Sequence, residues 1–320
     1  MRGTGCGVRD VHAGRRLPNP ERDVMQRYPE WLKKPFSPHG VAREVRELVA
    51  DLRLETVCES ALCPNLRECH AQRQLTFMIL GGTCTRSCGF CAVHHGRPEP
   101  VAADEPWRVA EAVRRLGLRH VVITSVARDD LRDEGAEHFV RVIRVVRERN
   151  PGTTVEVLVP DFHGREPLIA EVLEDGRPDI FAHNVETIER LSPLLRPQAG
   201  YRRSLDVLGV AARRGRAVVK SSLMVGLGET LPEIDACLAD LRGHGVTHLT
   251  IGQYLRPDAG HLPVLDYVSP RRFTVLEGLA RGRGFAWVMA GPFVRSSYHA
   301  VDAMDAQRAH VAAAAQGVSP

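Results

Sequence analysis

The chain has 320 residues, of which 43% are hydrophobic and 26% charged, and these proportions are typical of a globular protein. A net charge of +4 and an aromatic content of 5% do not predict nucleic-acid binding, because they provide neither a strong basic excess nor a stacking platform. No apolar run reaches the length of a membrane span, and the N-terminus lacks the apolar segment of a secretory signal, so we expect a cytoplasmic protein that works without a membrane partner.

The N-terminal part of the chain has little regular pattern. Residues 1–35 are rich in Gly, Pro and Arg and predict a flexible tail. Residues 36–74 form an N-terminal extension that begins with a helix, since four apolar residues recur at helical spacing: Val41, Val45, Leu48 and Leu52. The following "ETVCESALCPNLRECH" predicts a loop with short turns.

Residues 75–291 show a regular alternation of strands and helices. The predicted strands are 76–80, 120–126, 154–159, 179–184, 217–226, 248–253 and 285–291. The predicted helices are 106–116, 136–149, 167–174, 186–195, 204–214, 232–242 and one that begins at Ser269-Pro270. Apolar strands joined by helices predict a parallel α/β sheet of six or seven units, either a partial barrel or an open doubly wound sheet. Residues 292–320 form a C-terminal extension.

Six of the eight cysteines lie between positions 58 and 91, which indicates metal or redox chemistry in a reducing compartment. Three of them, Cys84, Cys88 and Cys91, occupy one loop directly after the first predicted strand. A structural zinc site needs four protein ligands, whereas three thiolates leave one iron of a cubane cluster open. We favour the cluster over a zinc site completed by His94 or His95.

The loop "GGTCTRSCGFCAVHH" resembles the radical S-adenosylmethionine (SAM) superfamily, whose members carry Cys-x3-Cys-x2-Cys after the first strand of a partial (βα)6 barrel. Phe90 stands where that family usually has an aromatic residue. The resemblance implies a [4Fe–4S] cluster whose open iron binds SAM. It also implies reductive cleavage of SAM to a 5′-deoxyadenosyl radical that attacks unactivated C–H bonds.

A second triad, Cys58, Cys63 and Cys69, precedes the first with the spacing Cys-x4-Cys-x5-Cys. Together with the C-terminal "RSSY" it resembles the lipoyl synthase family. That resemblance extends over most of the chain: "KKP" (33–35), "VCESALCPN" (57–65), "VARDDL" (126–131), "HNVET" (183–187), "YRRSL" (201–205), "LMVGLGET" (223–230), "QYLRP" (253–257) and "GPFVRSSYHA" (291–300). It implies an auxiliary [4Fe–4S] cluster whose fourth iron is held by Ser297, with Ser296 the less favoured choice. Without the triads, "RSSY" would be an ordinary turn.

The same resemblance implies a reaction and its partners. The substrate is an octanoyl chain on a lysine of a lipoyl carrier domain or protein. Two sulfur atoms from the auxiliary cluster are inserted at the sixth and eighth carbons. An electron donor and an iron–sulfur cluster assembly or carrier protein are also implied. A biotin-synthase-like enzyme and a non-enzymatic zinc scaffold are the alternatives.

Polar and glycine residues at predicted strand ends are candidates for SAM contacts. The six are Thr124, Ser125, Asn184, Glu186, Gly226 and Gly228. The glycines are also compatible with a tight turn, and Glu186 is equally compatible with a helix cap. Cys237 is interpreted as a small core side chain and Cys6 as incidental.

Overall fold

A computed structural model of the chain describes residues 28–34 and 40–315, so Cys6 and most of the predicted tail lie outside the described residues. The extension contains α1 (Gly40–Asp51) and two short helices, α2 (Val57–Ser60) and α3 (Leu66–Ala71). The predicted loop of short turns therefore contains two short helices, each carrying one cysteine. Thr56 begins α2, since its hydroxyl accepts the backbone N–H of Glu59 at 3.4 Å.

Eight strands form one sheet whose spatial order follows the chain. They are β1 (Glu55–Thr56), β2 (Thr76–Ile79), β3 (His120–Ser125), β4 (Thr154–Leu158), β5 (Ile180–Ala182), β6 (Val218–Val225), β7 (His248–Gln253) and β8 (Trp287–Gly291). β1 pairs antiparallel to β2, and all the other pairs are parallel. The strand order never reverses, as it would in a doubly wound sheet, and the sheet is not closed. The structure thus selects the partial barrel from the two predicted architectures and confirms the seven parallel strands.

Six helices connect the parallel strands and cover the outside of the sheet. They are α4 (Glu105–Leu116), α5 (Ala136–Arg149), α6 (Glu166–Glu171), α8 (Tyr201–Arg214), α9 (Leu231–Gly243) and α10 (Pro270–Gly282). Local sequence explains their ends. Gly117 ends α4 in the left-handed conformation at φ 64°, and a Thr230–Glu233 capping box begins α9. These six strand–helix units match the predicted (βα)6 arrangement.

The predicted helix at 186–195 is wrong over its first half. Only α7 (Ser192–Leu195) is helical there. Glu186 has a φ of 65°, its N–H donates to the Ser222 carbonyl at 3.0 Å, and its carbonyl accepts the Met224 N–H at 2.8 Å. Because residue 186 is bonded to β6, the helix begins later. Similarly, α6 ends at Glu171, and a π-helical turn from Val172 to Gly176 follows it.

Toward the N-terminal ends of the strands, the barrel interior contains charged and polar side chains. Lys220 on β6 and Glu156 on β4 form an ion pair of 2.8 Å, and each side chain is 1% exposed. His120 lies 3.6 Å from the same carboxylate, through its Nε2 atom. The apolar core lies instead between the outer face of the sheet and the helices, where Phe77, Phe139 and other large side chains are fully buried.

The C-terminal helix α11 (Ala300–Ala315) was not anticipated from the sequence. Its buried residues Ala303 and Met304 pack on Ile180, with Val218 and Trp287 at the edge of this cluster. These strand residues lie at the N-terminal ends of β5, β6 and β8, so α11 covers the barrel at the end opposite the cysteine loop. Within the described residues, no helix has the length and apolar character needed to cross a membrane.

Candidate functional site

The first cysteine triad lies on a loop that leaves the C-terminal end of β2. Leu80 and Gly81 have φ angles of 69° and 91°, and they turn the chain out of the strand. The backbone N–H of Cys84 donates to the His94 carbonyl at 2.8 Å, and that of Gly96 donates to the Cys84 carbonyl at 2.9 Å. The loop therefore folds back on itself. Its thiols are free and partly exposed: Cys84, Cys88 and Cys91.

Arg86, inside this loop, braces the triad against the sheet. Its guanidinium pairs with Asp129 at 2.7 Å and with the fully buried Asp161 at 2.8 Å. Arg203 approaches the other oxygen of Asp161 at 3.1 Å. Burial opposes ionisation of Asp161, but the Arg86 charge holds the pKa of that carboxyl below its usual value. The cysteine loop is thereby tied to the ends of β3 and β4.

Two thiols of this loop, Cys88 and Cys91, have a raised pKa in the absence of a metal. Burial, opposed by Arg196, raises the pKa of Cys88 to about 12. Burial, opposed by a backbone hydrogen bond from Val93, raises that of Cys91 to about 11. Thiolates are the form that binds iron, so cluster binding here has to release protons.

Four of the six candidate SAM contacts lie with this triad on the wall of one cavity of about 530 Å³: Thr124, Ser125, Asn184 and Glu186. The Asn184 amide donates to Glu186 Oε1 at 3.0 Å. Burial raises the pKa of Glu186, although Arg196 and Asn184 oppose the rise. Among the described residues, Ser125 Oγ and Asn184 Oδ1 are buried without a hydrogen-bond partner. Three thiols and unsatisfied polar atoms on one wall fit a cluster and a polar ligand such as SAM.

Gly226 and Gly228 line a different cavity of about 300 Å³, between α9 and α10. A Cβ atom on Gly226 would lie 2.2 Å from Gln253 Nε2 and 2.6 Å from the Asp266 carbonyl oxygen. Its φ of 107° also favours glycine. The packing of the turn after β6 accounts for Gly226, so the structure does not place these two glycines with the other candidate SAM contacts.

The second triad lies on α2, α3 and the turn between them. The Cys63 N–H donates to the Cys58 carbonyl at 3.0 Å, and the Cys69 N–H donates to the Asn65 carbonyl at 2.9 Å. These bonds fix the turn and place each thiol in a defined position. Burial, reinforced by Cys63, raises the pKa of Cys58 to about 11 and that of Cys69 to about 12.

Ser297 shares a cavity wall with all three of these cysteines. Its hydroxyl oxygen accepts a hydrogen bond from the Thr76 hydroxyl at 2.8 Å. Ser296 lines the 530 Å³ cavity but not the one that contains Cys69. The geometry therefore favours Ser297 over its neighbour, because only Ser297 lines the cavity that contains all three cysteines of the second triad.

A set of side-chain bonds fastens the "RSSY" segment to α3. Glu68 accepts the Tyr298 hydroxyl at 2.8 Å and also pairs with Lys34. Asn65 accepts Lys34 Nζ and donates to the Phe293 carbonyl, both at 2.6 Å. Glu68 precedes Cys69 and Tyr298 follows Ser297, so these bonds position the serine against the cysteines.

All three loop cysteines and two cysteines of the second triad line the 530 Å³ cavity, which opens at the C-terminal ends of the strands. Cys58 and Cys63 face it from the extension, and the loop cysteines face it from above β2. Much of the remaining wall is apolar, including Met78, Leu158 and Val294. The structure thus brings two sets of thiols, unsatisfied polar atoms and an apolar surface together in one chamber.

Arg295 lines both the 530 Å³ cavity and the cavity that contains Cys69, and it has no carboxylate partner among the described residues. Its Nη1 donates to the Val294 carbonyl at 2.7 Å. Burial lowers the pKa of this guanidinium, and the nearby Cys63 opposes that effect. A partly buried cation without an acidic partner, beside thiols, favours an anionic occupant, which a thiolate-ligated cluster would provide.

A third group of possible metal ligands lies at the surface beside the Arg86 brace. One ligand atom from each of Asp129, Glu134 and His163 lies within 4.8 Å of the others. Arginines already neutralise the two acids, since Arg86 pairs with Asp129 and Arg165 lies 2.6 Å from Glu134. We interpret the group as part of an ion-pair network.

Several site residues were missed from the sequence although they lie in quoted motifs. Arg86 is in "CTRSC", Lys34 in "KKP", and Arg295 and Tyr298 in the C-terminal motif. Only the cysteines and the serines had been considered as functional there. A charged or phenolic residue next to a predicted ligand is the signal that could have identified them.

Comparisons with known proteins agree with this geometry. Residues 78–241 match the model of the Radical SAM superfamily. The lipoyl synthase of Rubrobacter xylanophilus is 53% identical over 273 residues, which are 85% of either chain. The lipoyl synthase of Methylococcus capsulatus is 51% identical over 86% of this chain and 85% of its own. That of Trichlorobacter lovleyi is 51% identical over 87% of this chain and 99% of its own.

Solved structures show the same fold at low sequence identity. The hydrogenase maturase HydG from Carboxydothermus hydrogenoformans superposes with a TM-score of 0.53 at 12% identity, covering 83% of this chain and 78% of its own. A methylornithine synthase superposes with a TM-score of 0.50 at 14% identity, covering 77% of this chain and 81% of its own. These similarities support the partial barrel and nothing more specific.

Proposed function

The chain belongs to the lipoyl synthase family of radical SAM enzymes, and we propose on that premise that it inserts two sulfur atoms into an octanoyl chain. The octanoyl chain is carried on a lysine of a carrier protein, and the sixth and eighth carbons each exchange one hydrogen for sulfur. The observation that carries this proposal is the single chamber lined by the loop triad and by Cys58 and Cys63 of the second triad. Membership of an enzyme family rules out the alternative of a non-enzymatic zinc scaffold.

Each triad has a distinct task in this proposal. Cys84, Cys88 and Cys91 would hold one [4Fe–4S] cluster, and the second triad with Ser297 would hold another. When bound, these clusters and SAM supply the electron, the hydrogen-abstracting radical and the sulfur. Three thiolates on the loop leave the fourth coordination position to SAM.

The polar end of the chamber is suited to bind and orient SAM. Asn184 Oδ1 and Ser125 Oγ are unsatisfied acceptors or donors for its polar groups. Thr124 is fixed differently, because its hydroxyl already donates to the Leu158 carbonyl at 2.9 Å. Arg196 supports this end from behind by donating to the Asn184 carbonyl at 3.1 Å. We propose that these residues hold SAM beside the loop cysteines.

The apolar part of the chamber is suited to bind an alkyl chain and to exclude water from the radical chemistry. Met78, Leu158 and Val294 line it. Burying the six methylene groups of an octanoyl chain would contribute about 5 kcal/mol to binding. A chain bound there lies between the two triads, so its distal carbons can meet both the radical and the sulfur.

The proposal includes the partners that the proposed reaction requires. An octanoylated lipoyl carrier domain or protein delivers the substrate, and an electron donor reduces the loop cluster. An iron–sulfur carrier rebuilds the second cluster, whose sulfur is consumed. We propose that the enzyme works in the cytoplasm, and the six clustered thiols, all free, support a reducing compartment.

The test uses anaerobically reconstituted protein, SAM, a strong reductant and an octanoyl-lysine peptide followed by mass spectrometry. We expect a peptide in which two hydrogens are replaced by two sulfurs. Cys88→Ala protein, which lacks one loop ligand, should neither cleave SAM nor change the peptide. SAM cleavage without any change in the peptide would contradict the proposed substrate.

A further inference from the structure

The second triad lies on the partition between two cavities. Four residues line both the 530 Å³ chamber and a second cavity of about 300 Å³, which is not the one between α9 and α10: Cys58, Cys63, Arg295 and Ser297. Cys69 faces the second cavity together with residues at the N-terminal ends of β2 and β3. The second triad can therefore be reached from a side that does not pass the loop cysteines.

We propose that this second cavity is the route by which an anionic [4Fe–4S] cluster is delivered to the second triad. The inference rests on the proposed function, in which that cluster is consumed. During the reaction the larger chamber holds SAM and the octanoyl chain. A separate opening allows the cluster to be rebuilt without clearing that chamber.

The mouth of the second cavity carries unpaired positive charge. Arg73 follows α3 and Arg119 precedes β3, and both line the cavity with exposed side chains. Neither has an acidic partner among the described residues. The nearby Arg114 and Arg115 differ, since both pair with Glu111, at 2.8 and 2.6 Å.

The positive charge of Arg73 and Arg119 favours delivery of iron as an anionic cluster over delivery as free ferrous ions. Two exposed guanidinium groups repel free ferrous ions and attract a cluster that bears thiolate ligands, whose net charge is negative. Arg295 continues the positive charge at the inner end, beside Cys63. An anionic cluster therefore meets favourable potential at the mouth and again at the triad.

The test isolates loading of the second triad from catalysis. The full chain with Cys84→Ala, Cys88→Ala and Cys91→Ala can take up a cluster only at the other site. The probe is a synthetic [4Fe–4S] cluster ligated by 2-mercaptoethanolate. Uptake is followed by visible absorbance and by iron per chain. No octanoyl substrate is present, so failure of this inference is distinguishable from failure of the proposed function.

In that background, Arg73→Glu together with Arg119→Glu should slow uptake at least about tenfold and remove its salt dependence. Arg216→Glu is the matched control, because Arg216 is an exposed arginine without an acidic partner among the described residues, just before β6. It should load at the parental rate. Parental uptake by the double variant, or equal slowing by the control, would overturn the proposal.

A second variant tests the path rather than the charge. Gln74 lines the cavity near Cys69, whose carbonyl accepts the Gln74 N–H at 2.7 Å. Gln74→Trp narrows the cavity and should slow uptake of the synthetic cluster and of ferrous iron with sulfide alike. Unchanged uptake of both probes would show that the second triad is loaded through the larger chamber, which overturns the route.

Discussion

Ser297 brings one oxygen to a site otherwise built from thiols, and its hydrogen bond from Thr76 fixes that oxygen. Because an alkoxide is a hard ligand among soft ones, its removal should weaken the second cluster without touching the first. We expect Ser297→Ala to lower formation of the sulfur-containing product at least about tenfold while SAM cleavage continues. Single-turnover mass spectrometry with parallel measurement of 5′-deoxyadenosine separates the two effects.

Ser296 provides the matched control for that experiment. It is the adjacent hydroxyl and lines only the larger chamber. Ser296→Ala should keep both SAM cleavage and sulfur insertion near parental levels. If the two variants lose product equally, the assignment of Ser297 as the fourth ligand is wrong.

The buried Glu156–Lys220 pair makes a prediction about stability. Each side chain is 1% exposed, so removing one charge leaves the other without a partner in the barrel. Glu156→Gln should lower the free energy of unfolding by about 3–5 kcal/mol. The double variant Glu156→Gln, Lys220→Met should recover much of that loss, as measured by denaturant unfolding. Equal stability of the single and double variants would contradict this account.

The Glu156–Lys220 pair also determines how the free energy of unfolding changes with pH. Burial raises the pKa of Glu156, but Lys220 and His120 outweigh it, so the pKa is lower than in the unfolded chain. A carboxyl with a depressed pKa contributes stability above its unfolded pKa and loses it as pH falls through the folded value. Acid unfolding of the parent should therefore include a contribution that Glu156→Gln protein lacks.

At the scale of elements, α11 packs across the end of the barrel where the strands begin. Met304 is 7% exposed and packs on Ile180 with Ala303. Met304→Ala should cost about 2 kcal/mol of unfolding free energy, since it empties part of a small cluster. Asp305→Ala, at the exposed neighbouring position, is the control and should change stability little. A comparable loss in both variants would mean that α11 is not held by this contact.

The sequence predicted the parallel strands better than it predicted the helix after β5 and the C-terminal helix α11. Buried parallel strands are short apolar runs, and all seven were recognised with small errors at their ends. The helix at 186–191 failed because a backbone pairing between Glu186 and β6 outweighs local helical pattern. α11 was missed because its sequence is rich in alanine and lacks a clear apolar stripe.

At the scale of the whole molecule, the site depends on contacts between distant parts of the chain. Glu68 bonds to Lys34 and to Tyr298, which are 34 and 230 positions away. No periodicity indicates such pairings, so the cysteines were predictable and their positioning residues were not. The position of Gly226 and Gly228 on a separate cavity could not be predicted either, because it depends on the backbone around Asp266, which packs against Gly226.

Two separate triads around one chamber imply two separable chemistries. Replacing Cys58, Cys63 and Cys69 by alanine should remove the sulfur source and leave the loop cluster and its Arg86 brace intact. We expect this variant to cleave SAM at about the parental rate and to form no carbon–sulfur bond. The triple variant of the loop cysteines should do neither.

Mass spectrometry of 5′-deoxyadenosine and of the octanoyl peptide measures SAM cleavage and sulfur insertion in one reaction. The iron content per chain is determined in parallel. The two variants should each hold about half of the parental iron, because each keeps one triad. Loss of SAM cleavage in the Cys58, Cys63, Cys69 variant would mean that the second triad supports the first. In that case the chamber would operate as one coupled centre, and the division of labour between the triads would have to be abandoned.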